Sequence, residues 1–258
     1  MVAAHLLRTA PEEVELAVTW RTAPPPEGVP AHRVDLRDPQ AVDRLVADVA
    51  PDVVVHTAYS MGERSDIVDA AVETARACAR HGVALVHLSS DVVFDGEHPP
   101  YSEGDPVGPV SAYGRWKLAA EQGVRELVPD ACITRTSLVV SLEPPDRGTG
   151  WLLDAVRAGT PPTLFADEVR SPIRAVDLAR AIWSLVGRDR SERAGVWHLP
   201  GPEAMSRCEL GRRILAAAGL DPSAVVEGSL RDHPEPRPRD LTLRSVRPWP
   251  GPEPSPVP

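Results

Sequence analysis

The chain has 258 residues, 42% hydrophobic and 25% charged, enough for one large soluble domain or two small ones with an ample core. Its formal net charge of −9 argues against a nucleic-acid backbone or an anionic membrane surface as partner. It has no apolar run long enough to span a membrane and no signal-peptide pattern at its start, and its three scattered cysteines, Cys78, Cys132 and Cys208, read as buried cytosolic thiols.

In chain order, Val14–Thr19 reads as a strand. Pro39–Val49 reads as a helix, with Asp38 as N-cap and proline in the first turn. Asp52–His56 is a continuous apolar run of the kind buried on both faces of a parallel sheet. Asp66–His81 is a helix stopped by Gly82. Val83–Ser89 is the next strand, Ser111–Leu127 a helix with Ser111 as N-cap, and Ala131–Ser137 a further strand. The alternation predicts an α/β fold: a Rossmann-type, doubly wound parallel sheet with ligands at the carboxyl ends of its strands. Beyond Leu138 the pattern loosens. Gly150–Arg157, Val176–Val186 and Arg207–Ala218 look helical, and Gly195–His198 reads as a short strand. The expected organisation is a dinucleotide-binding core over 1–140, completed by about 173–198, with a small substrate-binding region from 141–172 and 199–247. Residues 248–258, rich in proline, are expected to be a disordered tail.

The chain has a single lysine, Lys117, four residues after Tyr113; every other basic residue is arginine. On a helix, positions i and i+4 share a face. A phenol titrates near 10, and lowering it to neutrality requires about 4 kcal/mol. A cation about 4 Å away supplies about 1 kcal/mol in bulk water and about 4 at an effective dielectric of about 20. A Tyr–Lys pair therefore works only in a partly desolvated cleft; the bland alternative is a solvated helix face. Leu85–Gly96 places Ser90 at the carboxyl edge of a strand, where its hydroxyl can serve a substrate oxygen or cap a turn.

Three segments together resemble the extended short-chain dehydrogenase/reductases, and more narrowly the dTDP-4-dehydrorhamnose reductase family. They are Ser89-Ser90-Asp91-Val92-Val93-Phe94-Asp95-Gly96, then Tyr101-Ser102-Glu103 with Pro106 and Pro109, then Tyr113-Gly114-Arg115-Trp116-Lys117. Pro51–Val55, Arg135-Thr136-Ser137 and Arg237-Pro238-Arg239-Asp240 are similar to further family segments. The resemblance implies that Ser90 orients a substrate ketone, Tyr113 gives the proton, and Lys117 holds the nicotinamide ribose. It further implies substrate contacts at Asp91, Arg170 and Arg237, and cofactor contacts at Asp35, Leu36, His56, Thr57 and Ala58. Asp35 has the alternative of capping a turn.

Arg21 follows the first predicted strand. An arginine there suits a 2′-phosphate, where NAD sites prefer an acid, so NADP(H) is expected in preference to NAD(H); a solvated loop arginine is the alternative. Eight histidines show no metal-ligand spacing, and His87 is expected to be a core residue.

Two departures stand out. The family's fold begins with a strand and a glycine-rich turn that places the pyrophosphate on a helix N-terminus, whereas the first glycine here is Gly28 and Met1–Thr9 resembles the body of the helix after that turn. The first strand is therefore expected to be missing, its codons lying upstream of Met1. Leu243-Arg244-Ser245-Val246-Arg247 also replaces the family's usual pattern there. The leading expectation is a cytoplasmic NADPH-dependent reductase of a 4-keto nucleotide-diphospho-sugar, with a homodimer left open. A reductase or epimerase of another sugar nucleotide and a non-catalytic dinucleotide-binding or sugar-nucleotide-binding subunit are the rivals.

Overall fold

The computed structural model describes residues 1–25, 28–60 and 62–258. In chain order the elements are α1 (Val2–Arg8), β1 (Val18–Trp20), β2 (Ala31–Arg33), α2 (Pro39–Val49), β3 (Val53–His56), α3 (Val68–His81), β4 (Ala84–Ser90) and α4 (Ala112–Leu127). There follow β5 (Cys132–Thr136), β6 (Val139–Val140), α5 (Arg147–Arg157), β7 (Thr163–Phe165), β8 (Val169–Arg170), β9 (Ile173–Arg174) and α6 (Ala175–Val186). The last are α7 (Arg190–Arg193), β10 (Gly195–Leu199), β11 (Met205–Ser206), α8 (Arg207–Ala217) and β12 (Val226–Gly228).

Local chemistry sets the helix ends. Asp38 accepts from the backbone N–H groups of Gln40 and Ala41 to open α2, Ser111 from Gly114 to open α4, and Asp146 from Gly148 and Thr149 to open α5. Gly82 adopts φ 70° and closes α3.

The main sheet is parallel, with strand order β10-β5-β4-β3. Its strands are apolar on both faces because helices cover both. Val54, Leu85 and Ile133 point to one face and pack with residues of α2, α3 and α4. Val53, Val55, Val86, Leu88 and Cys132 point to the other and pack with Leu6 of α1 and Leu178, Ile182 and Leu185 of α6. This alternation is the period-2 rule of a strand read out in a three-layer molecule.

β1 and β2 form a separate two-stranded parallel sheet. Only the three residues of β1 that find partners in β2 are strand, so the predicted Val14–Thr19 strand is shorter and shifted. In the doubly wound order 3-2-1-4-5-6, β2 and β1 take the first two places and β3, β4 and β5 the last three. No described strand occupies the place between β1 and β3.

A third core gathers Val140, Leu152, Leu153, Leu164, Met205, Leu210, Ile214, Leu215 and Val225 from α5, α8 and the short strands around them. The proline-rich end is not loose, contrary to expectation. It has no regular secondary structure, but Trp249 packs on the α6 face, the Ser255 N–H donates to Asp177 at 3.0 Å, and Val257, 3% exposed, enters this third core. Alternate prolines forbid a helix, but they do not prevent an extended strap from burying the apolar residues between them.

Candidate active site

The carboxyl end of β4 is the centre of the site. Ser90 ends the strand, and a single turn of 3₁₀ helix, Asp91–Val93, follows it. α4 lies flush against that turn: a Cβ on Gly114 would sit 2.3 Å from the Val92 carbonyl oxygen. Only glycine permits this approach, and it brings Tyr113 beside the Ser90-Asp91 segment. One turn further along α4, Lys117 is 5% exposed and its Nζ donates to the Leu88 carbonyl at 2.7 Å. An ammonium has three hydrogens, so two remain for other acceptors. One more turn on, Glu121 forms a buried two-pronged pair with Arg135 of β5, with contacts of 2.7 and 3.0 Å.

Tyr59, in the loop after β3, completes the cluster. Its ring centroid is 6.2 Å from that of Tyr113 and 5.9 Å from Lys117 Nζ, and it is 55% exposed. Sequence reasoning missed it; the available signal was its place three residues past the end of a parallel strand.

The electrostatics differ from the expected pattern. Tyr113 is held well above the ordinary phenol value, first by burial and then by Tyr59 and Asp91. Lys117 falls to about 8 through burial, with Glu121 opposing. Lys117 therefore does not bring the phenol toward neutrality in this arrangement, because its ammonium is drawn back to the Leu88 carbonyl. The phenol stays protonated, which is the form a proton donor needs.

Asp91 is buried. Ser90 Oγ donates to its Oδ1 at 3.1 Å and Ser137 Oγ to its Oδ2 at 2.7 Å, while Arg170 Nε stands 4.0 Å away. Burial raises its pKa, against the pull of Arg170. Asp91, expected at the substrate, thus serves to hold Ser90 and tie β4 to β5. Arg170, also expected at the substrate, is enclosed in the same way. It is buried and donates to Glu168 at 3.0 Å and to the Val169 and Pro238 carbonyls at 2.7 and 3.2 Å. Arg237 is exposed at 3.4 Å from Glu168 and lies over the Phe165 ring. Arg207, missed from the sequence, is lowered by burial and feels Glu168, Arg170 and Arg237.

Gly96 joins two of the sequence motifs. It has φ +90°, and a Cβ there would meet Arg239 N and Pro238 Cβ at 2.8 Å. The Phe-Asp-Gly segment thereby holds Arg237-Pro238-Arg239 against the site.

The expected cofactor residues divide. Thr57 and Ala58 lie in the loop at the carboxyl end of β3. His56 does not face that loop. It is buried and meets His87, its partner across β3 and β4, with their Nδ1 atoms 3.1 Å apart; burial and then the Lys117 charge lower it to about 3. His87 is a core residue, though among the described residues its Nε2 finds no hydrogen-bond partner. Leu36 is partly buried and packs on the core with Val34 and Val42. Asp35 is gripped by Arg37 at 2.6 and 2.9 Å and falls to about 2 through those bonds. Arg21 has its fork closed on Asp66, at 2.6 and 3.0 Å.

A Tyr–Lys pair on one helix beside a serine at the end of a parallel strand, on a doubly wound sheet, defines an oxidoreductase of the short-chain dehydrogenase/reductase type. Residues 1–246 match the family model described as RmlD substrate binding domain, and the chain belongs to that family.

It is 34% identical over 234 residues to dTDP-4-dehydrorhamnose reductase of Mycobacterium tuberculosis (strain ATCC 25618 / H37Rv), covering 83% of this chain and 75% of that one. It is 30% identical over 261 residues to the probable low-salt glycan biosynthesis reductase Agl14 of Haloferax volcanii, covering 92% and 84%. Among solved structures, a hypothetical dTDP-4-dehydrorhamnose reductase from Sulfolobus tokodaii superposes with a TM-score of 0.79 at 28% identity, covering 94% of this chain and 88% of that one.

Proposed function

We propose that the protein reduces a 4-keto nucleotide-diphospho-sugar with a nicotinamide dinucleotide. The observation that carries this reading is the chain's single lysine, buried on α4 with its Nζ on the Leu88 carbonyl of β4, one helical turn from Tyr113.

The residues present fit the nicotinamide end of such a cofactor. Lys117, fixed by the Leu88 carbonyl, has two hydrogens left for ribose hydroxyls. When bound, the cofactor supplies hydride to the carbonyl carbon. Ser90, steadied by Asp91, orients the carbonyl oxygen; to donate to it, the hydroxyl turns from Asp91. Tyr113 protonates that oxygen as general acid. The raised phenol pKa keeps the proton on Tyr113 until charge develops on the substrate oxygen. Arg237, exposed beside Glu168 and Phe165, is the residue offered to the nucleotide diphosphate, while Arg170 fixes the acidic neighbour that positions it.

The test is turnover of NADPH with a dTDP-4-keto-6-deoxy sugar, followed by loss of NADPH absorbance, with Tyr113→Phe as control. Turnover that disappears in the variant supports the reading; equal rates in both overturn the role of Tyr113. A second reading, a non-catalytic binding subunit, is favoured by 30% identity over 212 residues to methionine adenosyltransferase 2 subunit beta of Danio rerio. That match covers 75% of this chain, less than the reductases above, and a binding subunit does not require Tyr113 and Lys117. Dinucleotide binding without turnover on any 4-keto sugar nucleotide would decide for it.

A further inference from the structure

The charged cluster beyond the ends of β1 and β2 is built around one carboxylate. Arg21 directly follows β1, Asp35 and Arg37 follow β2, and Asp66 lies just before α3. These are carboxyl ends of parallel strands, the side on which a doubly wound sheet takes its ligand. The end of the second strand of that order, here β1, is where the adenosine ribose is read.

Two guanidiniums converge on Asp66. Arg21 holds it with both prongs, at 2.6 and 3.0 Å. Arg37 has Nε and Nη2 on Asp35, and turns Nη1 toward Asp66 at 3.4 Å and Glu63 at 3.6 Å. Asp66 is 8% exposed, whereas Arg21 and Arg37 are 44% and 36% exposed. The arginines thus face outward while their inner prongs are taken.

A 2′-phosphate carries about −1.5 to −2 charge, and a guanidinium receives it best with two parallel N–H groups. In this cluster the end-on pair of Arg21, Nη1 and Nη2, is already occupied, which leaves only its Nε edge. Three guanidiniums, Arg21, Arg37 and Arg33, whose Nε donates to the Arg21 carbonyl at 3.4 Å, stand among three carboxylates, Asp35, Glu63 and Asp66. An arriving dianion would meet a cluster with no net positive charge, and Asp66 beside Arg21 would oppose it. A ribose 2′-hydroxyl carries no charge and has no such opposition.

We propose that Asp66, by closing the Arg21 fork and facing Arg37, sets how strongly this site distinguishes a dinucleotide bearing a 2′-phosphate from one without it. The inference rests on the cofactor reading above and deepens it: Arg21 offers its end-on fork to the phosphate only to the extent that Asp66 releases it. Removing the carboxylate frees both guanidiniums and withdraws a like charge, so affinity for the phosphorylated dinucleotide rises.

The experiment is a calorimetric titration of the full chain with NADPH and with NADH, for the wild type, Asp66→Asn, Arg21→Ala and the double variant. Asp66→Asn is expected to tighten NADPH by about tenfold and to leave NADH within about twofold, the scale of one like-charge contact near a surface. Arg21→Ala is expected to weaken NADPH selectively, and the double variant to resemble Arg21→Ala. If the cluster merely ties α3 to β1 and β2, Asp66→Asn changes both affinities by the same factor, and the inference fails. It also fails if NADPH affinity stays constant or falls. Asp66→Ser repeats the test with a smaller neutral side chain should the amide disturb folding. Failure of both dinucleotides to bind the folded wild-type chain would overturn the cofactor reading itself, and this inference with it.

Discussion

Tyr113 and Lys117 respond to burial in opposite senses. Burial disfavours the charged form of each, so the phenol keeps its proton and the ammonium loses its own more easily. Replacing Tyr113 by phenylalanine removes the transferable proton; turnover is expected to fall by about 10²–10⁴, the usual contribution of a general acid, with the melting temperature little changed. Lys117 yields a pH prediction. Its folded value of about 8 lies below the ordinary lysine value of 10.5. NADPH affinity should therefore weaken as pH rises through about 8 and the charge on the ribose-holding group is lost. Lys117→Arg, charged throughout, should flatten that profile even if it binds less well. A wild-type affinity independent of pH across that range would contradict the assignment. The same shift acts on stability with a fixed sign. Between about 8 and 10.5 the unfolded chain binds more protons, so this group's contribution rises with pH. Ser90, Tyr113 and Lys117 were legible because their types and spacing carry chemistry. Tyr59 and Arg207 were not, because an aromatic or an arginine at those positions has many ordinary uses until its neighbours are known.

At the scale of elements, α4 is the part on which the site depends. Ser111 starts it, Gly114 lets it touch the turn after β4, and Glu121 anchors it to Arg135. Alanine is ordinarily better than glycine inside a helix by about 0.8–1 kcal/mol. At position 114 the contact reverses that sign, since the new Cβ would lie 2.3 Å from a backbone oxygen that cannot swing away. Gly114→Ala is expected to lower both the melting temperature and turnover, because α4 must shift and carry Tyr113 with it. Wild-type activity in that variant would show that the close approach is dispensable. The helix boundaries were readable from caps and glycine stops. The shortened β1 was not, because strand depends on a pairing partner and β2 offers only three residues.

Over the whole molecule, two features lie beyond any local pattern. One is the division of the parallel strands into a pair and a four-stranded sheet with β3 at its edge. The other is the C-terminal strap. Trp249, Ser255 and Val257 link the α6 face to the third core across one extended segment. Deleting residues 248–258 bares the buried Asp177 and removes a buried valine worth about 1.5–3 kcal/mol. With about 2–4 °C per kcal/mol for a chain of this size, a fall of about 3–12 °C in melting temperature is expected. An unchanged melting temperature would mean the strap contributes nothing to stability.

The sequence by itself determined the helices, the parallel apolar strands and the placing of Tyr113 and Lys117 on one helix face beside Ser90. Those follow from periodicity, caps and backbone geometry, all of which act over a few residues. Only the tertiary structure decided that Lys117 turns back to the Leu88 carbonyl, that Asp91 and Arg170 are buried supports, and that the final prolines pack. It also decided that Arg21 closes on Asp66, 45 residues away. The physical reason is range: a charged side chain takes its character from whichever opposite charge the fold brings within a few ångströms, and no local pattern records which one that will be.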